Sequence, residues 1–295
     1  MTSPLRRRGL PAAAAAPLAL LAATVALAGC GSSSAAGDDG RLDVVASPPA
    51  FIELVERVGG DAVDATGATP PGADAHAAEL TGEQVAGVVD ADLAVFAAGL
   101  APSVDEAVAL RDGPSLDLMG VEGASPEDPH VWLDPALMVD MAERVVAQLA
   151  EVDPDAADGY RQRADAYVEE LRALDADLEE QLAPCRGAVL VTAHEAFGYL
   201  ADRYGFEQTG ISGIDPDVEP TPARLRDVAT TVREAGVETV FFDDVTSTGV
   251  AQVLADEAGV ATAVLSPLET SVEPDYVSAM RDNAQVLRDG LVCDA

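Results

Sequence analysis

Short, β-branched apolar runs alternate with amphipathic helical segments along nearly all of this chain, and one long helical stretch interrupts the alternation near its middle. "LDVVAS", "DAVDATGAT" and "DLAVFAA" have the length and residue types of strands. Between and after them, "PAFIELVERVGG", "TGEQVAGVVDA" and "SVDEAVALRDG" carry helical spacing and stops, and Thr81 and Gln84 are spaced as a capping box. Such alternation predicts parallel sheets covered by helices. The interruption, "PDAADGYRQRADAYVEELRALDADLEEQLAP", places Tyr160, Ala164, Tyr167, Leu171, Leu174, Leu178 and Leu182 on one stripe. About thirty residues at 1.5 Å each span roughly 45 Å, more than a crossover helix needs. The alternation then restarts with "GAVLVTAH", "FEQTGIS", "VETVFFDD" and "VATAVLS". The expectation is an α/β fold of two doubly wound lobes, residues 41–153 and 184–295, joined by a long rigid connector helix, residues 154–183. One domain whose helix overhangs the surface is the alternative.

The N-terminus is set aside from fold reasoning. A basic leader with Arg6, Arg7 and Arg8 precedes an apolar run ending in small residues, the layout of an export signal over residues 1–30. Its end, "LAGC", resembles a bacterial lipobox, which makes Cys30 the lipid-bearing first residue of the mature protein. Residues 31–40 are Gly/Ser-rich and read as a flexible tether. A plain transmembrane anchor or a non-lipidated signal is the competing reading. An exported chain meets an oxidising environment, where Cys185 and Cys293 would bridge rather than remain unrelated buried thiols. The loop so closed is on the order of a hundred residues, worth about 4–5 kcal/mol in the chain-entropy model.

The formal net charge is −35, and every basic residue is Arg. Nucleic-acid binding needs clustered cations, so that class is excluded. A negative field concentrates cations, although an Ala-rich, Lys-free composition accounts for most of the charge without any site.

Only three histidines occur: His76 in "PPGADAHAAEL", His130 in "EDPHVWLDP" and His194 in "VLVTAHEAFGYL". His194 directly follows one predicted strand and Asp243 another. His76 lies in a loop after a strand, and His130 in a loop before a helix, where Pro129 stiffens the approach. In open α/β sheets ligands bind beyond the carboxyl ends of strands, so these loops have positions that could open on one cleft. Neutral imidazoles with a carboxylate suit a tetrahedral zinc site. Singly, each histidine has a bland reading: exposed loop, packing beside Trp132, or helix start. Glu79 and Glu195 could orient ligand imidazoles or be solvated helix-start carboxylates.

"EDPHVWLDP", "VTAHEAFGYLADRYGF", "GISGIDPDVEPTPARL" and "YVSAMRDNAQVL" resemble the zinc/manganese-type substrate-binding lipoproteins of bacterial ABC transporters, over nearly all of residues 41 to 293. The resemblance implies a metal held between two α/β lobes, with His76, His130 and His194 as ligands, and delivery to a membrane permease. Zinc is expected over manganese, which prefers oxygen donors. A metallochaperone is a further candidate partner. The expected state is a monomer, lipid-anchored on the outer face of the cell membrane. Two departures stand out. Where the family has Leu-Asp-Pro-Leu, this chain reads "LSPLE", with Ser266 in the ligand's place. Water, Asp243 and Glu269 are then open for the fourth position, and Asp243 is the favoured choice. The His-rich acidic loop of many zinc importers is also missing.

A zinc hydrolase with Glu195 as general base uses the same site description, but two histidines four apart on one helix are lacking. A metal-free binder of organic solutes would want more aromatic residues.

Overall fold

The computed structural model describes residues 40–243 and 248–293. Cys30, the signal and the tether lie outside the described residues.

Among the described residues two four-stranded parallel sheets form, each from its own half of the chain. The first comprises β1 (Leu42–Ser47), β2 (Val63–Gly67), β3 (Leu93–Phe96) and β4 (Ser115–Asp117), in the order β2-β1-β3-β4. The second comprises β5 (Val189–Thr192), β6 (Glu207–Gly210), β7 (Thr239–Phe242) and β8 (Ala261–Val264), in the order β6-β5-β7-β8. Registers run Val44 opposite Leu93 in one sheet and Thr192 opposite Phe241 in the other. In each sheet the winding reverses beside the first strand, and loops leaving the strands there diverge to make a crevice. The three-residue β4 is too short to be read from sequence.

Helices α1 (Pro49–Gly59), α2 (Gly82–Asp90), α3 (Pro102–Val108) and α4 (Pro135–Val152) belong to the first half. In the second half are α6 (Gly198–Tyr204), α7 (Pro222–Glu234), α8 (Thr248–Ala258) and α9 (Tyr276–Gly290). The capping box at Thr81 and Gln84 forms as expected. Asp134 caps α4 through Ala136 N–H at 2.8 Å, with Pro135 in the first turn.

Between the halves runs α5 (Ala157–Leu182), 26 residues long, or about 39 Å. It starts three residues after the expected position 154 because Pro154 opens a separate 3-10 turn, Pro154–Ala156, and Asp153 accepts a hydrogen bond from Tyr160. Every residue of the stripe is buried. One side of α5 is tied to α1: Arg163 donates to the carbonyls of Val58 and Gly59, two acceptors that the helix end leaves open. Gly60 there has φ +55°, and a Cβ would sit 2.7 Å from Arg163 Nε, so only glycine fits. Its other side is tied to α6 by Arg203–Asp175 and to α9 by Arg281–Asp177. The main apolar core runs without interruption from Leu42 through this stripe to Leu287. Cys185, just past α5, is disulfide-bonded to Cys293 after α9. Among the described residues no helix is long and apolar enough to cross a membrane.

Candidate metal centre

His76, His130 and His194 come together, and the fourth member of the group is Glu269. One ligand atom from each lies within 4.8 Å of the others.

Each donor is held by its own local chemistry. His76, in the loop after β2, has its N–H bonded to Asp74 Oδ1 at 2.8 Å, a short turn closed by its own aspartate. His130 precedes the 3-10 turn Val131–Leu133. Asp128 Oδ1 accepts from both the His130 backbone N–H at 3.0 Å and Nδ1 at 2.7 Å. His194 follows β5 by two residues, and Asp243 follows β7, the neighbouring strand. That adjacency brings Asp243 Oδ2 to 2.6 Å from His194 Nδ1. A carboxylate accepts, so both Nδ1 atoms carry a proton, and both Nε2 atoms face the centre.

Glu269 leaves the last strand through Ser266-Pro267-Leu268. Asn283 on α9 pins Ser266 from both sides, accepting from its N–H at 3.0 Å and donating to its carbonyl at 2.7 Å. Trp132 Nε1 donates to Pro267 O at 2.7 Å. Leu268 then takes φ +61°, the one non-glycine left-handed residue among those described, and this turn swings Glu269 inward.

The donor geometry fits a small tetrahedral cation. Nε2 of His130 lies 3.1 Å from Nε2 of His76 and 3.0 Å from Glu269 Oε1. Nε2 of His194 and of His76 lie 3.4 Å and 3.7 Å from the same oxygen. Metal–ligand bonds near 2.05 Å at tetrahedral angles place donors about 3.3 Å apart. His194 Nε2 and both Glu269 oxygens are buried and make no hydrogen bond among the described residues. Such orphaned atoms are costly unless an ion completes them.

Burial favours a neutral Glu269, but the three imidazoles outweigh it and hold the carboxyl well below its ordinary range. Burial lowers His194, yet Asp243 and Glu269 push it up to about 10. His130 is raised on the same balance by Asp128 and Glu269.

The structure thus brings together the three histidines expected from sequence and sets Asp243 behind one of them. Asp243 faces the ring edge opposite the centre, while Glu269, the alternative donor, faces the centre itself. Its signal in the sequence was weak: a single Glu after "LSPL", with nothing to show that the chain turns inward there. Neither Glu79 nor Glu195 touches the group. Glu79 is exposed. Glu195 starts no helix, since α6 begins at Gly198; Thr192 Oγ1 donates to the preceding carbonyl of His194 at 2.6 Å, and the Glu195 carboxylate accepts from Arg224 at 2.6 Å.

Residues 44–290 match the family model described as zinc-uptake complex component A, periplasmic (ZnuA). The chain is 31% identical to the zinc-binding lipoprotein AdcA of Streptococcus pneumoniae, covering 91% of this chain and 60% of that one. It therefore spans less than two thirds of AdcA. It is also 31% identical to the high-affinity zinc uptake system protein ZnuA of Bacillus subtilis, covering 90% of this chain and 94% of that one. Among solved structures, the Zn(II)-bound ZnuA-like domain of Streptococcus pneumoniae AdcA superposes with a TM-score of 0.73 at 31% identity, over 85% of this chain and 99% of that one. The laminin-binding protein Lmb of Streptococcus agalactiae does so with a TM-score of 0.78 at 30% identity, over 84% and 99%.

Proposed function

Because this chain belongs to the family of zinc-uptake complex component A proteins, we propose that it captures zinc outside the cytoplasm and hands it to an ABC-type importer. It is a binding protein and not an enzyme. The hydrolase reading needs Glu195 as a base, and that carboxylate is engaged by Arg224 away from the centre.

The observation that carries the reading is the four-donor group, with separations of 3.0 to 3.7 Å in four of its donor pairs and two imidazoles held at Nδ1 by carboxylates so that Nε2 faces the centre. Three nitrogens and one carboxylate oxygen favour zinc over manganese, which prefers an oxygen-rich shell. His76, His130, His194 and Glu269 are the ligands, and Asp243 and Asp128 orient two of them. The first two donors come from the lobe of residues 41–153 and the other two from that of residues 184–295, with the connector between. A helix as continuous as α5 resists hinge bending, so release proceeds by small loop and lobe shifts. Cys30 carries the lipid that keeps this monomer at the outer face of the membrane, near its permease; a metallochaperone could load the site.

Zinc titration tests this. About one zinc per chain should bind, with a rise in melting temperature that follows mass action. Changing His76, His130 and His194 together to Ala should abolish both, and one-to-one binding retained in that variant would overturn the assignment.

A further inference from the structure

A second cavity, of about 670 Å³, lies at the carboxyl ends of β1 and β2, and none of the four metal donors lines it. Its volume is in the range of small-molecule sites, and strand ends in α/β sheets are where such ligands sit. One wall is α1, with Ile52, Glu53 and Arg57. Another is Pro70-Pro71, and the third is the segment from Thr270 to Asp275. A hydrogen bond from Gly72 N–H to Thr270 O at 3.2 Å joins the latter two walls.

The lining mixes apolar residues with Thr69, Gln84, Thr270 and Ser271, and its charges are unbalanced. Glu53, Glu56, Glu273 and Asp275 face one cation, Arg57. Arg57 is already committed: it pairs with Glu170 and lies over the Tyr167 ring, 4.5 Å from the centroid. Glu53 is the group left incomplete. It is 8% exposed, and its Oε2 accepts from Tyr276 N–H at 2.7 Å. Its Oε1 makes no hydrogen bond among the described residues, and the nearest cationic atom, Arg57 Nη1, is 3.9 Å away. A buried carboxylate oxygen without a donor is a defect in a folded chain unless something completes it.

We propose that this cavity binds an organic cation, an ammonium or guanidinium group on an apolar body, with the Glu53 carboxylate as counter-ion. A bare divalent ion fits less well: among the described residues no group of three or more His, Cys, Asp or Glu donors other than the three-histidine one converges closely enough to share an ion. An anion would meet four carboxylates. The apolar wall of Ile52, Pro70 and Val272 gives the body of such a ligand its contact. Burial also pushes the Glu53 carboxyl up to about 7, so an arriving cation recovers a cost that the fold already carries.

The test uses the zinc-free full chain and two amine probes, benzylamine and cyclohexylamine, with benzyl alcohol as the uncharged control, followed by amide NMR. The amines should shift the Ile52, Thr69 and Val272 amides saturably, and benzyl alcohol should bind at least about tenfold more weakly, as a lost charge-assisted bond requires. Glu53→Gln should weaken the amines by a similar factor. Should that variant fold poorly, Ser271→Trp, at an exposed lining position, should block the cavity instead. Equal binding of amine and alcohol, no saturable shift from either amine up to ~10 mM, or undiminished amine binding in the folded variants would each overturn the proposal. Amine binding should persist when the three histidines are changed to Ala, so its fate and that of the zinc site can be read separately.

Discussion

Replacing Asp243 by asparagine distinguishes a carboxylate that orients a ligand from one that is a ligand. Oδ2 of Asp243 sits 2.6 Å from His194 Nδ1, on the ring edge away from the centre of the four-donor group. Asparagine removes the charge and can turn its NH2 group towards Nδ1. The ring proton then moves to Nε2 and points at the position the ion needs. Partners behind metal-bound imidazoles are typically worth 10–100-fold in affinity, or about 1.4–2.7 kcal/mol. At a fixed excess of zinc, the stabilisation conferred by the ion falls by that same amount. For a chain of this size about 2–4 °C accompanies each kcal/mol, so the zinc-induced rise in Tm should shrink by about 3–11 °C. Chelator-competition titration and calorimetry with and without zinc measure both quantities. Glu269→Gln, which weakens a direct donor, should lose more. A change below about threefold in Asp243→Asn, or a loss as large as that of Glu269→Gln, would refute the orienting role.

Further outcomes follow from the same geometry. Apparent zinc affinity should climb as pH rises from about 6 to 9, because the proton and the ion compete for Nε2 of His194, whose metal-free pKa Asp243 and Glu269 push up to about 10 against the effect of burial; a Kd flat across that range contradicts it. Glu53 is raised from 4.5 to about 7, so the folded chain holds its proton more tightly than the unfolded one, and stability should fall as pH rises between those values, by up to about 3 kcal/mol. Glu53→Gln should remove that slope in denaturant melts; a slope identical to wild type shows that another group causes it. Cys293→Ser opens a bridge between residues 108 apart and should cost about 2–5 kcal/mol; an unchanged Tm would show the bridge to be energetically idle.

Much of the architecture was legible because its signals are local. The run "LDVVAS" is β1 to the residue, and the stripe from Tyr160 to Leu182 is buried throughout, since a helix that must be covered on one side shows its period in sequence. Shorter elements escaped where local preference gave way to tertiary contacts. Strand β4 has three residues; the α6 helix itself was legible, but it begins only at Gly198, where the His194 carbonyl already accepts from Thr192 and Gln208. The three histidines stood out by rarity and by their places at strand ends and turns. Glu269 was harder, because its approach depends on Asn283, Trp132 and the left-handed Leu268, three features remote in sequence or invisible to it. Asp243, in turn, had the position of a ligand without its reach: being on the strand next to His194 fixed it as that ring's neighbour.

The four converging donors are strung along the polypeptide at 76, 130, 194 and 269. No early fragment contains a full set, and the last donor is aimed only after α9 and Trp132 have closed on the segment that carries it. A chain still being made therefore holds at most three of the four donors until residue 269 has been added. On the proposed function, full affinity for the ion would mark a finished molecule, and a copy ending before Glu269 would hold it more weakly.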